Sequence, residues 1–527
     1  MIGRRAVVAG AALALAGCKK DRVIAGGFAG ASAERGHLLR EARAHAAPAV
    51  TRKAGVVVVG AGIAGLSAAR ALRLAGVEDF TLLELEDQPG GNSRGMAVGG
   101  LACPMAAHYL PVPGDSASEV REFLAEAGIA KREAGRWTYD ERHLCHSPQE
   151  RLFFNGQWQE GLLPVQGVGA ATLAQYRRFS QLVAREDKRA HFRLPLRGAA
   201  PAPHRALDAL TFAAWLAREG LDDAHLRWYL DYCCRDDYGA GAAAVSAWAG
   251  IHYFASRHGF TAPGEKDGER EPLLTWPEGN AWLARRLAAP LGERMRTGRV
   301  VLRIAALKGG VEIDALDVAT QQVERWQAAQ CIVALPLFVA ARVLNAPPRA
   351  LSEAALRMRY APWAVANVHI EAPLRDRPGA PPSWDNVIHG ARGLGYVDAG
   401  HQKLNPLPEP TVLTWYRPLG DEPDARAQLL ARPWAAWRDE VLDELSGPHP
   451  DVRAKTLAVE VARFGHAMAI PVPGLRTDAA LAALQRPQAG LWRRVHFAHA
   501  DLSGYSVFEE AFTHGWRAGR AAAKALA

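Results

Sequence analysis

Four consecutive valines that lead directly into closely spaced glycines constrain this chain more than any other feature. Residues 56–59 are all valine, which is the pattern of a strand buried on both faces. The next six residues read GAGIAG (60–65), and a helical stretch follows. In a dinucleotide site, Gly60 would make the tight turn, Gly62 would let the backbone approach a pyrophosphate, and Gly65 would let the helix pack on the strand. This order of strand, glycines and helix predicts a dinucleotide-binding unit.

An acidic residue lies at the distance that such a unit requires. Residues 80–85 form a second candidate strand, and Glu84 lies 19 positions after Gly65. That spacing is close to the ~20 positions at which a carboxylate binds the ribose. Glu86 is the alternative, because side chains alternate along a strand and Glu86 shares the face of Glu84. The spacing favours Glu84.

The composition excludes several classes of protein. The 527 residues are 49% hydrophobic and 22% charged, as in ordinary globular domains, so a disordered chain is excluded. The net charge of +8 is spread along the chain without a basic block, which predicts no nucleic-acid partner. The six cysteines include no CxxC pair, so we expect neither a metal site nor a disulfide scaffold.

The first eighteen residues have the pattern of an export signal. Arg4 and Arg5 precede an uncharged run (6–16) that is too short to span a membrane, and this run leads to Leu-Ala-Gly-Cys at 15–18. The pattern resembles a bacterial lipoprotein signal, in which Cys18 would be lipidated. The paired arginines also resemble a twin-arginine signal, which exports folded proteins. We therefore expect a lipoprotein anchored to a membrane in the bacterial periplasm, with a plain secretory peptide as the alternative.

Three dispersed segments resemble the flavin amine oxidase superfamily, which also holds protoporphyrinogen oxidases and phytoene desaturases. A second glycine motif, DQPGGNSR, occupies residues 87–94. Residues 301–336 resemble the central segment of the family. Residues 495–501, with the helix that starts at Phe508, resemble its closing motif. The resemblance implies an FAD-dependent oxidoreductase.

The resemblance also implies roles for individual residues. Asp501 would bind the ribityl hydroxyls, Val301 would contact the adenine, and Arg94 would pair with phosphate, although two residues separate it from the glycines. No cysteine follows Cys331, so a flavin thioether on the C-terminal segment is excluded, and we expect FAD to be bound non-covalently. The expected cofactor-binding residues are Gly60, Gly62, Ala64, Gly65, Glu84, Gly90, Gly91, Arg94, Val301 and Asp501.

Three ring-bearing residues are candidates for contact with a substrate. Residues 106–111 resemble the loop that passes the reactive face of the flavin, which makes His108 and Tyr109 candidates. Tyr505 lies where amine oxidases place an aromatic cage residue, and an alignment shifted by two positions would put Val507 there. A ring face can guide a neutral or cationic amine toward the flavin. The alternative is that Tyr109 belongs to the core and that His108 makes a structural hydrogen bond.

One departure from the family concerns the electron acceptor. Many amine oxidases carry a lysine that holds a water at flavin N5, on the strand that matches residues 364–370. This stretch contains no lysine. Either Asn367 or His369 holds the water instead, or O2 is not the electron acceptor. The departure also leaves room for a substrate that is not an amine.

The expected fold class is α/β, with a Rossmann-like FAD-binding domain and a discontinuous α+β substrate domain. A signal peptide is expected at 1–18 and a tether at 19–53. The FAD-binding parts are expected at 54–110, 270–345 and 487–527, and the substrate-domain parts at 111–269 and 346–486.

The leading functional hypothesis is the oxidation of an amine or a polyamine. Hydride transfer from the carbon beside nitrogen to flavin N5 would give an imine, which water would hydrolyse. Electrons would pass to O2 or to a periplasmic or membrane acceptor. One alternative is a desaturase or oxidase of a lipid or porphyrin-like substrate at the membrane surface, which a wide apolar opening would favour. Another is a flavin-loaded binding or assembly factor, which a stable partner and an irreducible flavin would favour.

Overall fold

The computed structural model describes residues 23–40, 47–145, 148–257, 259–265, 272–403 and 407–527. The expected signal peptide and its lipidation site, Cys18, lie outside the described residues, so lipoprotein export stays a prediction. Among the described helices, none combines the length and the apolar character that a membrane crossing requires.

Runs of strands and runs of helices follow one another along the described chain. The strands are β1 (Ala25–Gly30), β2 (Val50–Val59), β3 (Phe80–Leu83), β4 (Gly95–Val98), β5 (Leu101–Pro104), β6 (Tyr109–Pro111), β7 (Ala130–Glu133), β8 (Arg136–Tyr139), β9 (Glu150–Phe154), β10 (Gln157–Glu160), β11 (Leu273–Thr275), β12 (Met295–Arg296), β13 (Arg299–Ala306), β14 (Val311–Asp317), β15 (Gln322–Val333), β16 (Tyr360–Ile370), β17 (Asp385–Ile388), β18 (Tyr396–Asp398), β19 (Thr411–Pro418), β20 (Thr456–Ala469) and β21 (Val495–Phe497). The α-helices are α1 (Ala33–His37), α2 (Ile63–Leu74), α3 (Ser118–Glu126), α4 (Ala170–Arg189), α5 (Ala202–Asp208), α6 (Phe212–Arg218), α7 (Ala224–Tyr238), α8 (Ala247–Ala255), α9 (Ala281–Ala288), α10 (Leu337–Val343), α11 (Arg349–Arg357), α12 (Ala425–Ala431), α13 (Trp434–Ser446), α14 (Val452–Lys455), α15 (Ala479–Leu484) and α16 (Phe508–Leu526).

The first large sheet is built around the valine strand. Its strand order is β12-β3-β2-β15-β14-β13, with β21 beside β15, and β3, β2 and β15 run parallel. Val56 and Val58 pack into a core with α2, α9 and α16. Val57 and Val59 pack into the opposite core with β13, α10 and α11. Because helices or strands cover both faces, every residue of the run is apolar.

The C-terminal helix α16 lies directly against α2, the helix that follows the glycine turn. A Cβ atom on Gly515 would lie 2.0 Å from the carbonyl oxygen of Ala64. A Cβ atom on Gly519 would lie 2.4 Å from the carbonyl oxygen of Ala68. Backbone therefore meets backbone along this contact. It joins the last residues of the chain to the first helix of the nucleotide-binding unit.

The second large sheet has the strand order β1-β20-β16-β19-β18-β17-β9-β10. One face packs against α12 and α13, with Ala364, Ala366 and Val368 of β16 in that core. The other face packs against a group of helices, α4 to α8, through residues such as Val365 and Tyr416. The chain thus folds as α/β with two separate sheets, which confirms the expected fold class.

Residues 19–53 were expected to be a tether, and the described part of this segment differs. β1 pairs in parallel with β20 over its whole length, and β2 already begins at Val50. A Cβ atom on Gly26 would lie 1.9 Å from the carbonyl oxygen of Val459, so glycine allows this close pairing. The strand shows no alternation of apolar and polar residues. For that reason the sequence pattern gave no sign of it.

The expected boundary after residue 110 also differs from the structure. Val120, Phe123 and Leu124 of α3 lie in the same core as α2 and α16. The ring of Phe123 stacks on Phe512 at a centroid distance of 5.5 Å. The nucleotide-binding half therefore includes α3, because that helix completes the cover over α2 and α16.

We predict that Gly515→Ala destabilises the protein. In a helix interior, helix propensity alone predicts that alanine stabilises by about 1 kcal/mol relative to glycine. The contact with Ala64 reverses this sign, because overpacking a close contact costs on the order of 1–3 kcal/mol. The free energy of unfolding from urea denaturation measures the change. Gly36→Ala in α1 is the matched control, since nothing lies within 4 Å of its Cβ position. A stabilised Gly515→Ala variant would show that the contact between α2 and α16 can accommodate a Cβ atom.

Candidate active site

Two glycine segments lie against each other at the carboxyl end of β2 and form a glycine cradle, defined as residues 60–65 and 90–91. Gly60 has a φ of +96°, which glycine adopts most readily. A Cβ atom on Gly65 would lie 1.8 Å from the carbonyl oxygen of Gly60, so the helix can approach the turn only with glycine there. The main-chain N–H of Gly90 donates to the carbonyl oxygen of Ala61 at 2.8 Å.

The open side of the cradle is the N-terminal end of α2. Gly62 caps this helix, and a Cβ atom at Gly62 would meet nothing within 4 Å. The unpaired N–H groups and the positive end of the helix dipole therefore face open space, where a pyrophosphate can approach the backbone. Gly91 lies directly beside Gly62. Ala64 is placed in the first turn of α2, where its carbonyl contacts α16 instead of projecting toward the opening.

Glu84 and Glu86, the two acidic candidates for the ribose contact, have different partners in the structure. The carboxylate of Glu84 accepts the N–H of Ala61 at 2.6 Å and the N–H of Glu86 at 2.9 Å, which places it at the first glycine turn. Burial raises the pKa of Glu84, although these two N–H groups oppose the shift. The carboxylate of Glu86 accepts the N–H of Ser32 and lies 3.3 Å from Arg94. Glu86 is thus engaged by other parts of the chain.

Arg94 and Val301 both lie near the acidic residues Glu84 and Glu86. The Nε of Arg94 donates to the carbonyl oxygen of Gly91 at 3.1 Å, so the guanidinium lies beside the cradle but shares its charge with Glu86. Val301 is a buried residue of β13, two positions after Arg299, whose N–H donates to the carbonyl oxygen of Glu84. The phosphate role of Arg94 and the adenine contact of Val301 stay predictions.

Asp501 is fully buried in the turn between β21 and α16 and has one carboxylate oxygen without a hydrogen-bond partner. Its Oδ2 accepts the N–H of Leu337 at 2.9 Å and the hydroxyl of Tyr360 at 2.5 Å. Nδ1 of His499 lies 3.1 Å from the other oxygen, Oδ1, and 3.1 Å from the main-chain nitrogen of Asp501. Oδ1 is therefore an open acceptor for a hydroxyl group.

The carboxyl group of Asp501 is anionic. Burial alone would raise its pKa, but His499, the hydroxyl of Tyr360 and the N–H of Leu337 outweigh burial and hold the pKa below its usual value. An anion with an open lone pair suits a polyol chain such as the ribityl group of FAD. The open cradle, Glu84 and Asp501 together fit the cofactor that the sequence predicted.

A cavity of about 450 Å³ lies beyond the loop that joins β5 to β6. Two hydrogen bonds hold this loop between the cradle segment and the second sheet. The N–H of Ala107 donates to the carbonyl oxygen of Asn92 at 3.0 Å, and the hydroxyl of Tyr416 donates to the carbonyl oxygen of Ala106 at 3.0 Å. The cavity walls include rings from five parts of the chain, namely His108, Tyr109, Tyr229, Tyr232, Tyr253, Trp384 and Tyr416.

Both loop residues that the sequence singled out line this cavity. The ring of His108 stacks on Tyr416 at 4.5 Å and lies 5.5 Å from Trp384, while Tyr109 meets Trp384 edge-on at 5.9 Å. Burial lowers the pKa of His108 to about 4, so the imidazole is neutral near pH 7. It adds a ring to the wall without a positive charge.

Tyr505 does not line this cavity, which differs from the sequence-based expectation. Its ring is buried against Trp248 and His252, and its hydroxyl donates to Glu510 at 2.6 Å. The hydrogen bond and the packing hold the ring inside the helical core. Val507, the alternative, caps α16 and packs against the same core. The aromatic wall comes instead from Trp384 and from tyrosines of α7, α8 and β19, whose convergence no local motif signals.

Carboxylates line the same cavity and were not singled out by the sequence. Burial raises the pKa of Asp385 well above its usual value, and the negative charges of Asp236 and Glu150 add to the shift. Burial and the neighbouring Asp237 raise the pKa of Asp236 to about 7, against the opposing effect of Arg257. Acidic groups in such surroundings are typical of functional sites.

The strand that matches the missing lysine is β16, and its polar side chains have structural contacts. The amide of Asn367 donates to the carbonyl oxygen of Pro104 at 3.0 Å and accepts the hydroxyl of Thr414 at 2.7 Å. His369 packs against the turn at Gly99. Asn367 therefore braces the β4–β5 hairpin, and a role for Asn367 or His369 in holding a water stays a prediction.

Residues 63–523 match the family model described as flavin containing amine oxidoreductase. Since the match spans most of the chain, the protein belongs to this family. It is an FAD-dependent oxidoreductase. No curated protein matches its sequence significantly.

Solved structures with the same fold include three different enzymes. A putrescine oxidase bound to putrescine is 17% identical, with a TM-score of 0.65, over 89% of this chain and 99% of that chain. Cyclohexylamine oxidase from Brevibacterium oxydans is 18% identical, with a TM-score of 0.63, over 90% and 99%. A CLA-producing fatty acid isomerase from P. acnes is 16% identical, with a TM-score of 0.60, over 88% of this chain and 97% of that chain. At these identities the likeness shows the fold.

We predict that Glu84→Gln weakens FAD binding more than Glu86→Gln does. A carboxylate accepts hydrogen bonds from ribose hydroxyls more strongly than an amide, and a charged hydrogen bond contributes about 1.5–3 kcal/mol. The expected loss of affinity is at least about tenfold for Glu84→Gln. Titration of the apoprotein with FAD, followed by flavin fluorescence, measures both dissociation constants. Equal constants for the two variants would remove Glu84 from the ribose role.

We also predict that Asp236→Asn stabilises the FAD-free protein in a pH-dependent way. The pKa of Asp236 is about 7 in the folded protein and near 3.8 when unfolded, so the folded state binds this proton more tightly. Stability from this group is complete below pH 4 and is lost as the pH rises toward 7. The gain in melting temperature of Asp236→Asn over the wild type should therefore be small at pH 4 and a few degrees at pH 8.

Asp439→Asn is the matched control for this measurement, because Asp439 is a half-buried residue of α13 that does not line the cavity. Its effect on the melting temperature should change little with pH. A pH-independent difference for Asp236→Asn as well would mean that Asp236 titrates normally in the folded protein.

Proposed function

We propose that this enzyme oxidises a small amine at the carbon beside nitrogen. The observation that carries the proposal is the cavity beside the glycine cradle, whose walls combine ring faces with carboxylates. An ammonium group that leaves water needs compensation for its charge. Ring faces and carboxylates both supply it, the first by cation–π attraction and the second by direct charge.

The position of the cavity supports the proposal as well. The loop residues Ala106 and Ala107 connect its wall to Asn92, which follows the cradle directly. A substrate in the cavity therefore lies next to the region that holds FAD. The neutral ring of His108 does not repel a cation there.

When bound, FAD supplies an acceptor for two electrons, and hydrolysis of the resulting imine by water completes the oxidation of an amine. The chain contributes binding and orientation. The rings that line the cavity restrict the substrate to a narrow set of positions. In their ionised form, the carboxyl groups of Asp236 and Asp385 can take a proton from a substrate ammonium group, because their raised pKa values make the carboxylates stronger bases.

A lipid substrate fits this cavity less well. The carboxylate of a fatty acid would meet Glu150, Asp236 and Asp385, and those of the three groups that are ionised would repel it. Two of the structural neighbours are amine oxidases, which agrees with the proposal, and the third is a fatty acid isomerase.

Anaerobic mixing with candidate substrates tests the proposal. Each amine in the panel is matched with the alcohol of the same carbon skeleton, and loss of absorbance in the oxidised-flavin bands reports reduction of bound FAD. We expect at least one amine to bleach the flavin, while its matched alcohol does not. Air admitted afterwards shows whether O2 restores the colour. A flavin that a fatty acid reduces, and that no amine reduces, would overturn the proposal.

A further inference from the structure

The segment between β1 and β2 lies against residues that flank the glycine cradle. Residues 31–40, here called the N-terminal strap, comprise α1 and a 3-10 turn at Leu38–Arg40. The strap precedes residue 63, where the match to the family begins, so membership in the family assigns it no role. The strand before it, β1, pairs with β20 of the second sheet, whereas β2, which follows it, belongs to the first sheet. The strap therefore passes from one half of the molecule to the other.

The first attachment of the strap is polar and involves the residues that follow β3. The main-chain N–H of Ser32 donates to the carboxylate of Glu86 at 2.9 Å. The guanidinium of Arg35 donates to both carboxylate oxygens of Asp87, at 2.8 and 3.0 Å, and to the carbonyl oxygen of Leu85 at 3.1 Å. The hydrogen bonds from Arg35 hold the pKa of Asp87 below its usual value. Two residues of the strap thus fix the same short stretch of chain.

This stretch connects the strap to both parts of the expected FAD site. Leu85, whose carbonyl oxygen accepts Arg35, directly follows Glu84, the residue expected to bind the ribose. The carboxylate of Glu86 also lies 3.3 Å from Arg94, and the Nε of Arg94 donates to the carbonyl oxygen of Gly91 in the cradle. A continuous series of contacts therefore leads from the strap to the second glycine segment.

The second attachment of the strap is apolar and reaches the first glycine turn. Leu39 is buried in the core that contains Val57 and Val59 of β2, and Leu335 packs against the same core. The side chain of Leu335 lies 3.2 Å from the position that a Cβ atom on Gly60 would occupy. The leucine of the strap therefore belongs to the core that lies directly beneath the turn of the cradle.

The last residues of the strap lie near a part of β20 that also contacts the cradle segment. Burial lowers the pKa of His466 in β20 to about 4, and nearby basic side chains, which include Arg40 and His37 of the strap, add to the shift. The next residue, Ala467, accepts the side-chain amide of Asn92 at its carbonyl oxygen, at 2.5 Å. Asn92 directly follows the cradle, so both ends of the strap lie beside residues that border it.

We propose that the N-terminal strap is part of the FAD site, where it closes over the dinucleotide portion of the bound cofactor and slows its release. The polar attachment lies beside the expected ribose contact, and the other contacts lie beside the glycine turns that a pyrophosphate would approach. A cofactor held under a closed segment leaves only when that segment opens. The strap is held by a few polar contacts and a buried leucine, so it opens locally at a lower cost than the sheets unfold. The inference concerns retention of the cofactor and holds whichever substrate the enzyme oxidises.

The first test measures how fast FAD leaves the loaded enzyme. The double variant Arg35→Ala/Leu39→Ala removes one polar and one apolar attachment of the strap, and exchange of bound FAD for isotope-labelled FAD gives the dissociation rate. We expect this rate to rise at least about tenfold. Arg121→Ala/Leu182→Ala is the matched control, because Arg121 likewise pairs with an exposed aspartate and a carbonyl oxygen, and Leu182 is about as buried in the helical core as Leu39 is in its own. An unchanged rate, or an equal rise in the control, would overturn the inference.

The second test needs no substitution and no turnover. Hydrogen–deuterium exchange of main-chain amides is compared between the FAD-loaded protein and the apoprotein. We expect peptides from residues 31–40 to exchange at least about tenfold more slowly with FAD bound, because contacts with the cofactor oppose local opening of the strap. The β7–β8 hairpin, which forms a separate two-stranded sheet, is the internal control and should exchange equally in both forms. Equal exchange of the strap in both forms would overturn the inference even if the double variant failed to fold.

Discussion

The contact between α16 and α2 is the interaction on which the rest of the structure depends. Gly515 and Gly519 bring two helix backbones together, and α2 in turn begins at the glycine turn after β2. The same C-terminal segment carries Asp501, which reaches the amide of Leu337 and the hydroxyl of Tyr360. Small residues thus hold together parts of the chain that are more than four hundred positions apart. A larger residue at this contact would move the turn that forms the cofactor cradle.

The carboxyl groups that line the cavity lower the stability of the folded protein. Buried carboxyl groups with few cations nearby destabilise a folded chain when they ionise, and the raised pKa values of Asp236 and Asp385 express that cost. Apolar residues of similar size would pack in these positions without it. A ligand that brings positive charge offsets this cost, because it favours the ionised form of these carboxyl groups. The raised pKa values and the proposed binding of an amine therefore have one physical origin.

The cofactor half of the site could be predicted well from the sequence, because its determinants are local. A turn with positive φ at Gly60 and a helix start at Gly62 each depend on a few adjacent residues. The substrate half of the site could not be predicted from the sequence. Tyr505 was expected at the cavity on the basis of its position before the last helix, but its hydrogen bond to Glu510 holds it in the core. Asp385 and Glu150 meet only because β17 and β9 pair, and the sequence separation of these strands hides that pairing.

The sequence by itself determined the fold class, the two glycine segments, the acidic residue of the first turn and the membership in a flavin enzyme family. Each of these depends on the order and spacing of neighbouring residues, which a chain carries before it folds. The tertiary structure alone decided that residues 25–30 join the second sheet, that α3 belongs to the nucleotide-binding half, and that three carboxylates meet in one cavity. These outcomes depend on strand pairing and packing between distant segments. Burial and charge at such a meeting point arise only when the segments come together.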